Sequence, residues 1–245
     1  MGGDSVSLFT PLILAGGLGT RLKSVVQDTP KPLAAVQGRP FITFILDQLA
    51  NAGFREAIIL TGFKGEQFEL VLGENYRGIN LRYSQEPTAL GTAGAIKYAT
   101  NTARTPYLLV LNGDSLIDVE LRSIVDVHLA NQAQATLVLT TTDVSDRYGS
   151  VAFDDDLTIN AFQEKTSAWH TPWINAGIYA LNTELLDSLP ASTQLSLEKD
   201  VFPGWLSDRK LRAHLMPART FIDIGIPSSY LEAQQMAVFS GDQKL

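Results

Sequence analysis

The chain has 245 residues, a formal net charge of −7 and a hydrophobic fraction of 45%, which is enough apolar material for a globular core. The acidic balance excludes a general nucleic-acid binder, because such proteins need a basic face. The absence of cysteine excludes disulfides, thiolate nucleophiles and cysteine-rich zinc sites. The three scattered histidines, His128, His170 and His214, argue against a histidine metal site.

The sequence contains no obvious membrane or export signal. No run of about 18 apolar residues occurs that could span a bilayer. The first ten residues, MGGDSVSLFT, lack the basic start and long apolar stretch of a signal peptide. We therefore expect a cytoplasmic protein that binds neither nucleic acid nor membranes.

The first half of the chain alternates between strands and helices. SLFTPLILAGG predicts a strand that runs into a glycine turn, and RPFITFILDQLANAG predicts a helix that begins at Pro40 and stops at Gly53. A strand in EAIILTG, a helix over residues 64–72, a strand in INLRYS, a helix in GTAGAIKYATNTA and a strand in YLLVLNGDS follow. This alternation indicates an α/β fold whose mostly parallel sheet carries helices on both faces.

The pattern changes after Asp126. ATLVLTTT, WINAGIYAL, LRAHLMP and RTFIDIG predict strands, and GSVAFDDDLTINAFQEK predicts a hairpin that turns at Asp154 to Asp156. TELLDSL and SLEKDVFPGWLS look at least partly helical, and SSYLEAQQMAVF predicts a closing helix. We therefore predict one domain over residues 1–245, with a first half of about residues 10–125 and a more antiparallel half of about residues 126–245.

Glycines cluster in LAGGLGTRLKSVVQDTPKPL, residues 14–33, directly after the first strand. In open α/β sheets, ligands bind beyond the carboxyl ends of the strands. Bare backbone there would let amide groups approach a nucleotide, and Arg21 and Lys31 would add positive charge. The dinucleotide fingerprint fails because Leu22 stands where the third glycine belongs, and the P-loop fails because Thr20 and Arg21 follow the last glycine. A plain turn with solvated charges is the alternative.

The combination of G-G-x-G-T-R-L with P-K-P-L resembles the signature of the sugar-1-phosphate nucleotidylyltransferases. That family joins a nucleoside triphosphate to a sugar 1-phosphate, releases pyrophosphate and needs Mg²⁺. The resemblance runs from Leu12 to about Met236. It implies a Rossmann-like, mostly parallel sheet of the nucleotide-diphospho-sugar transferase type, with a smaller antiparallel sugar-binding lobe.

The resemblance also implies which residues bind the nucleotide. SQEPTALGTAG corresponds to a nucleobase stretch, and it would bring Gln85 and Glu86 near the edge of the base. The implied nucleotide-binding residues are Leu14, Ala15, Gly16, Gly17, Gly19, Thr20, Gln85, Gly91 and Thr92.

Further stretches imply the catalytic and sugar-binding residues. Asp114 in LNGDSLID and Asp223 in FIDIGIPSSY correspond to the family's Mg²⁺ ligands, and Arg21, Lys31 and Lys165 to its phosphate-binding cations. The implied sugar-binding residues are Asn112, Gly149 in DRYGSV, Glu164 in FQEK and Asn175 in INAGIY. Strand alternation would send Glu164 and Lys165 to opposite faces, so their joint role requires a local twist or bulge.

Glu198 and Asp200 in SLEKDVFP also lie in a family-like stretch. We predict that both are structural and order the helix behind the sugar pocket.

The family chemistry needs no enzyme nucleophile, because a sugar 1-phosphate oxygen can attack the α-phosphorus directly. R-L-K-S-V-V-x-D-x-P-K-P, FIDIGIP and INAGIY look most like the D-glycero-D-manno-heptose 1-phosphate guanylyltransferases, which implies GTP and that heptose phosphate as substrates. Mannose-1-phosphate guanylyltransferase or another enzyme of the family is the alternative. A catalytically silent nucleotide-sugar-binding regulator is the alternative from a different class, and an oxidoreductase is a weaker one. The resemblance permits a homodimer.

Overall fold

The computed structural model describes residues 4–17, 20–22, 25–26, 28–62, 64–142, 148, 150–163, 171–217 and 219–236. Within these ranges, ten strands form one mixed sheet, and two pairs of short strands form separate small sheets. Helices pack on both faces of the large sheet.

The first half contains eight strands and four helices within the described ranges. The strands are β1 (Phe9–Leu14), β2 (Ala35–Val36), β3 (Arg39–Pro40), β4 (Glu56–Thr61), β5 (Asn75–Tyr76), β6 (Ile79–Gln85), β7 (Tyr107–Asn112) and β8 (Ser115–Ile117). The helices are α1 (Ile42–Ala52), α2 (Glu66–Leu72), α3 (Gly91–Ala99) and α4 (Leu121–Ala130).

The second half contains six strands within the described ranges. These are β9 (Ala135–Thr141), β10 (Ser150–Phe153), β11 (Ile159–Gln163), β12 (Trp173–Asn182), β13 (Leu211–Met216) and β14 (Phe221–Asp223). A π-helical turn over Leu197–Val201 leads into α5 (Phe202–Ser207), and α6 (Pro227–Ala233) follows β14.

Parallel pairing dominates the centre of the sheet, where the order β7-β1-β4-β6 is parallel throughout. The long strand β12 joins β7 antiparallel and carries β9 and β10 beside it. The antiparallel strands β9 to β12 therefore continue the central sheet, whereas β14 pairs with β8 in a separate small sheet. The predicted α/β class with a mostly parallel sheet and a more antiparallel second half is confirmed.

Alternating side chains of the central strands divide the core in two. Ile13 of β1 and Leu109 of β7 belong to the buried cluster that α1 and α4 cover, whereas Leu12 and Val110 pack in the cluster under α3 and α5. Successive side chains of a strand point to opposite faces. Both faces are apolar here, so both need a helical layer.

One predicted helix boundary is confirmed and one is wrong. Gly53 ends α1 with a φ of 95°, the left-handed conformation in which its amide bonds back to the last helical carbonyls. Pro40, however, lies in β3, and α1 begins two residues later at Ile42. Proline is favourable at a helix start, but the backbone pairing of β3 with β2 holds this proline in an extended strand.

Candidate functional site

A cleft of about 500 Å³ opens where β1, β4 and β7 end. Parallel strands bring their carboxyl ends to one edge of the sheet, which is where ligands bind in such folds. Ten of the residues predicted from sequence line this cleft: Leu14, Ala15, Gly16, Gly17, Arg21, Lys31, Gly91, Thr92, Asn112 and Asp114. The structure thus brings the glycine turn, the two cations and one of the two predicted metal ligands together.

The glycine turn forms one wall of the cleft. The Ala15 amide donates to the Leu60 carbonyl at 2.9 Å, which holds the start of the turn against β4. A Cβ added at Gly17 would meet no atom within 4 Å, so this glycine faces open space in the cleft. Leu22 is buried and anchors the short helical turn Thr20–Leu22, from which Arg21 projects, exposed, to the cleft wall.

Two carboxylates from opposite halves of the chain meet at one corner of the cleft. The short strand β14 pairs antiparallel with β8, and its residue Asp223 lies opposite Ser115. The Ile224 amide donates to the backbone oxygen of Asp114 at 3.0 Å. Asp114 therefore lies beside Asp223 although 109 positions of sequence separate them.

Lys31 is the counter-charge of this acidic pair. Its ammonium group, with a side chain only 10% exposed, forms an ion pair with Asp114. A Cβ added at Gly225 would lie 3.0 Å from the Lys31 Nζ and 2.7 Å from Asp223 Oδ1, so the backbone of Gly225 approaches both groups closely.

The pKa of Asp223 is raised above its usual value. Burial is the main cause, and the negative charge of Asp114 adds to it, while Lys31, the Gly225 amide and Arg21 oppose the shift. Two carboxylates held this close repel each other when both are ionised. A divalent cation would remove that repulsion.

The donor set fits Mg²⁺. This ion takes oxygen ligands, and it is commonly held by one or two carboxylates, with water and substrate phosphates completing its octahedron. Within the described part of the chain, no group of three or more His, Cys, Asp or Glu residues could hold a metal by itself. Asp114 and Asp223 thus suit a metal that arrives with phosphate ligands.

A polar network forms the far wall of the cleft. The Asn175 side-chain amide donates to the Tyr179 hydroxyl at 2.8 Å and to Glu198 at 3.4 Å. The glutamate carboxylate is exposed by surface area yet lies within the cleft, and desolvation there raises its pKa. Between Asn175 and Tyr179 the pairing of β12 is irregular and Gly177 has a φ of 76°, and a Cβ added at Gly177 would lie 2.5 Å from the Asn112 side-chain nitrogen.

The start of α3 supplies another part of the wall. Gly91 has a φ of 70°, and a Cβ there would lie 2.5 Å from the Leu195 carbonyl oxygen. The Ala93 amide donates to that same oxygen at 2.9 Å, and the Leu197 amide donates to the Thr92 hydroxyl at 2.8 Å. Gly91 is thus required by backbone packing, whatever ligand the cleft holds.

Gln85, the last residue of β6, and Glu86, which follows it, differ in their exposure. Gln85 is exposed and is absent from the cleft wall, whereas its neighbour Glu86 is half-buried and lines it. The family-like stretch SQEPTALGTAG implies that both residues lie near the edge of the base, and of the two the structure brings Glu86 into the cleft wall.

Glu198 also lies in the cleft wall, although a structural role is predicted for it. Asp200 fits the structural prediction, because its carboxylate accepts a hydrogen bond from the Ser196 amide at 2.7 Å. Tyr179 lines the cleft as well; it is the last residue of the family-like stretch INAGIY, from which only Asn175 was predicted as a site residue.

Four predicted site residues lie outside the described ranges: Gly19, Gly149, Glu164 and Lys165. Thr20 is described in its backbone only. The expected twist or bulge at Glu164 and Lys165 therefore stays a prediction. The other two predicted residues, Asn175 and Asp223, adjoin the cleft through Tyr179 and Lys31, respectively.

The sequence matches a family model described as nucleotidyl transferase over residues 10–238. A D-glycero-alpha-D-manno-heptose 1-phosphate guanylyltransferase of Aneurinibacillus thermoaerophilus is 38% identical over 91% of this chain and 96% of its own length. A mannose-1-phosphate guanylyltransferase of Mycobacterium tuberculosis is 33% identical over 90% of this chain, but this chain spans only 62% of that protein.

The fold is also similar to a solved structure. HddC from Yersinia pseudotuberculosis, crystallised in complex with GMP-PN, superposes with a TM-score of 0.80 at 30% sequence identity. The superposition covers 92% of this chain and 98% of HddC. Among the described residues, no helix is both long enough and apolar enough to span a membrane.

Proposed function

This chain belongs to the nucleotidyl transferase family, and from that premise we propose that it is a sugar-1-phosphate guanylyltransferase. It transfers the GMP moiety of GTP to the phosphate of a sugar 1-phosphate and releases pyrophosphate. The observation that carries the proposal is the meeting of Asp114 and Asp223 beside Lys31, at the end of the cleft that the glycine turn and Arg21 also line.

Each end of the cleft suits one part of the two substrates. The glycine turn offers bare backbone to the nucleotide, and Arg21 and Lys31 offer positive charge to its phosphates. The network of Asn175 and Glu198, with Asn112 nearby, offers hydrogen-bonding groups to sugar hydroxyls. By the same family correspondence, Gly149, Glu164 and Lys165 complete the sugar and phosphate contacts.

The chain's residues act by positioning and by charge, because phosphoryl-type transfer needs little covalent help from a protein. An oxygen of the sugar 1-phosphate attacks the α-phosphorus of GTP, and the bond to the pyrophosphate oxygen breaks in line. Arg21 stabilises the leaving pyrophosphate, and Lys31 contacts the phosphates. Mg²⁺ held by Asp114 and Asp223 would neutralise phosphate charge when bound.

The sugar is proposed to be D-glycero-D-manno-heptose 1-phosphate. The heptose-specific relative is 38% identical to this chain, compared with 33% for the mannose-specific relative. Mannose 1-phosphate is the second candidate, since both relatives share the guanylyl donor that their names give. The cytoplasm, where nucleoside triphosphates are available, is the proposed location.

The test is a direct assay of turnover. The protein is incubated with Mg²⁺, each of four nucleoside triphosphates and a panel of sugar 1-phosphates that includes the heptose and mannose compounds, and pyrophosphate is measured. We expect the largest kcat/KM for GTP with the heptose phosphate. A lack of pyrophosphate with every pair would favour the catalytically silent regulator, whereas preference for mannose 1-phosphate would overturn only the proposed sugar.

A further inference from the structure

The end of the final helix α6 is fastened to the hairpin of β2 and β3 by a set of hydrogen bonds. The side-chain oxygen of Gln234 accepts from the Gln37 amide at 2.8 Å, and its side-chain nitrogen donates to the Ala35 carbonyl at 2.8 Å. The Gln37 side chain donates in turn to the backbone oxygens of Gln234 at 3.2 Å and Met236 at 3.0 Å. The Tyr230 hydroxyl also donates to the Ala35 carbonyl, at 2.6 Å. We call this set of contacts the hairpin–helix latch.

Gln37 is an unusual residue for its place in the hairpin. Together with Gly38 it forms the two-residue turn between β2 and β3, and the φ angles of the two residues are 49° and 81°. Turns with two positive φ angles favour asparagine and glycine, whereas other residues are strained in this conformation. Backbone strain of this kind points to a role for the residue, and the side-chain bonds of Gln37 supply one, because they tie the turn to the chain after α6.

The helix α6 depends on such contacts for its position. It has seven residues, of which Ser229 and Ala233 are buried, and helices shorter than about 12–15 residues are marginal in water by themselves. The preceding strand β14 pairs over three residues with β8, outside the large sheet. The latch therefore contributes substantially to holding the segment that carries Asp223.

Each side of the latch leads to a charged group beside the cleft. On the helix side, the buried Ser229 hydroxyl donates to the backbone oxygen of Asp223 at 2.5 Å. On the hairpin side, the short helical turn Lys31–Leu33 leads into β2. The two groups meet at Gly225, where an added Cβ would lie 3.0 Å from Lys31 Nζ and 2.7 Å from Asp223 Oδ1. The latch thus closes a ring of contacts that contains both groups.

We propose that Gln37 and Gln234 are positioning residues for the metal corner, by which we mean Asp114, Asp223 and Lys31. Neither glutamine lines the cleft. The latch between them sets how the segment of Asp223 lies against Lys31 and Asp114, and thereby sets the affinity for a divalent cation. Such sites require supports that hold their charged groups to within about 0.5 Å of the productive geometry. The inference rests on the proposed function, which gives this corner its metal and its phosphates.

Two variants each remove two hydrogen bonds of the latch. Gln234→Ala removes the bonds to the Gln37 amide and to the Ala35 carbonyl. Gln37→Asn removes the two bonds of the Gln37 side chain, because asparagine is one methylene shorter, but it keeps a residue that favours the left-handed turn. Gln235→Ala is the matched control, because this neighbouring glutamine is exposed to solvent.

The first readout is the affinity of each full-length protein for Mn²⁺ without substrates, measured by calorimetry. We expect Gln234→Ala and Gln37→Asn each to bind Mn²⁺ on the order of 10-fold more weakly, as when residues that support metal ligands are changed. Gln235→Ala should stay within about twofold of the unaltered protein. A merely structural role would lower the thermal midpoint and leave the Mn²⁺ affinity of the folded protein unchanged.

Two outcomes of this titration would overturn the inference. One is an unchanged Mn²⁺ affinity in both latch variants, and the other is an absence of Mn²⁺ binding by the unaltered protein. If Gln234→Ala fails to fold, Gln37→Asn still decides the question, because asparagine suits the turn.

The second readout is the Mg²⁺ concentration that gives half-maximal turnover in the pyrophosphate assay. This concentration should rise in both latch variants in proportion to the loss of Mn²⁺ affinity. Saturating Mg²⁺ should recover most of the turnover, because a ligand that binds the ordered corner shifts the population toward it. A lower kcat that saturating Mg²⁺ does not recover, with an unchanged half-maximal concentration, would contradict a role in positioning the metal ligands.

The two readouts separate the inference from the proposed function. Weaker Mn²⁺ binding by the latch variants of a protein that releases no pyrophosphate with any substrate pair would keep the inference and remove the guanylyltransferase. Normal turnover by the unaltered protein, combined with unchanged Mn²⁺ affinity in both latch variants, would do the reverse.

Discussion

At the scale of single residues, the acidic pair can be tested by neutral substitutions of equal size. We expect Asp114→Asn and Asp223→Asn each to lower kcat/KM by on the order of 10²–10³-fold, because each removes preorganised charge at the phosphates. The effect on stability differs from the effect on turnover. Burial and the charge of Asp114 raise the pKa of Asp223, so the neutral asparagine at 223 relieves repulsion and keeps the thermal midpoint at or above that of the unaltered protein.

Asp118→Asn is the matched control for this prediction. Asp118 follows the same strand β8 but is exposed and lies outside the cleft wall. Turnover should therefore stay within about twofold of normal. Calorimetric titration with Mn²⁺ in the absence of substrates gives a second readout, and metal affinity that is unchanged in both Asp114→Asn and Asp223→Asn would remove these residues from the proposed metal site.

The sequence could predict which residues belong to the site where a motif contains them. It could not predict which way their side chains turn. Asp114, Asp223, Arg21 and Lys31 were identified from local stretches, and the structure brings them together. The choice between Gln85 and Glu86 depends on which of two neighbouring side chains turns toward the cleft. That orientation is set by the hydrogen bond from the Glu86 amide to the Thr61 carbonyl. This bond joins the ends of β6 and β4, which are neighbours in the sheet but separate in the sequence.

At the scale of elements, two glycines of the cleft are expected to be needed for different reasons. Gly91 lies where α3 packs against the segment before α5, and Gly17 lies in the open glycine turn. Gly91 combines a φ of 70° with backbone packing so close that a Cβ would lie 2.5 Å from the Leu195 oxygen. We expect Gly91→Ala to lower the free energy of unfolding by about 1–3 kcal/mol, because alanine is strained at this positive φ and its Cβ would clash with the Leu195 oxygen. Chemical denaturation measures this loss.

Gly17→Ala is the contrasting variant. Its Cβ would meet no atom within 4 Å, so the free energy of unfolding should change by less than about 1 kcal/mol. Since Gly17 lines the cleft, the added methyl group should weaken GTP binding instead. A variant Gly17→Ala that is strongly destabilised, or Gly91→Ala with normal stability, would show that these two glycines have been assigned the wrong roles.

Helix and strand types were predicted well because apolar spacing is a local property. The short strand β8 was missed for the opposite reason, and no helix was predicted over Leu121–Ala130 (α4). β8 has three residues, too few for any periodicity, and it exists because it pairs with β14, which lies in the strand predicted in RTFIDIG. The same cause moved Pro40 into β3, where pairing with β2 outweighs its preference for a helix start.

At the scale of the whole molecule, two histidines couple stability to pH. His128 is buried, with its ring nitrogens 2.9 Å from Thr136 Oγ1 and 3.0 Å from Asn182 Oδ1. His214 Nε2 is buried without a hydrogen-bond partner in the described part of the chain. Burial lowers the pKa of both histidines below the ordinary value, and the bond to Asn182 partly opposes this for His128.

The sign of the pH effect follows from these shifts. Below about pH 6.5 the unfolded chain takes up protons that the folded histidines do not, so their contribution to stability is lost as the pH falls from that point toward their folded pKa values. Glu86, Glu198 and Asp223, whose pKa values are raised, act in the opposite direction. The histidine effect is therefore measured as a difference between variants.

We expect His214→Phe to gain stability relative to the unaltered protein as the pH is lowered from 7 to 5. The slope of that difference is at most about 1.4 kcal/mol per pH unit, the limit for one titrating group. Urea unfolding at each pH supplies the free energies. A difference that is constant across this range would show that His214 has an ordinary pKa. His128→Phe should instead be less stable at pH 7, because Thr136 and Asn182 lose a partner.

The sequence by itself determined the α/β class, the order of the main elements and the family, because apolar spacing, glycine turns and short motifs are properties of neighbouring residues. The tertiary structure decided which side chains share the cleft. Asp223 reaches Asp114 through the pairing of β14 with β8, and Glu198, in the π-helical turn before α5, accepts a hydrogen bond from Asn175 of β12. Such pairings join distant parts of the chain, and no local pattern specifies which side chains they will bring together.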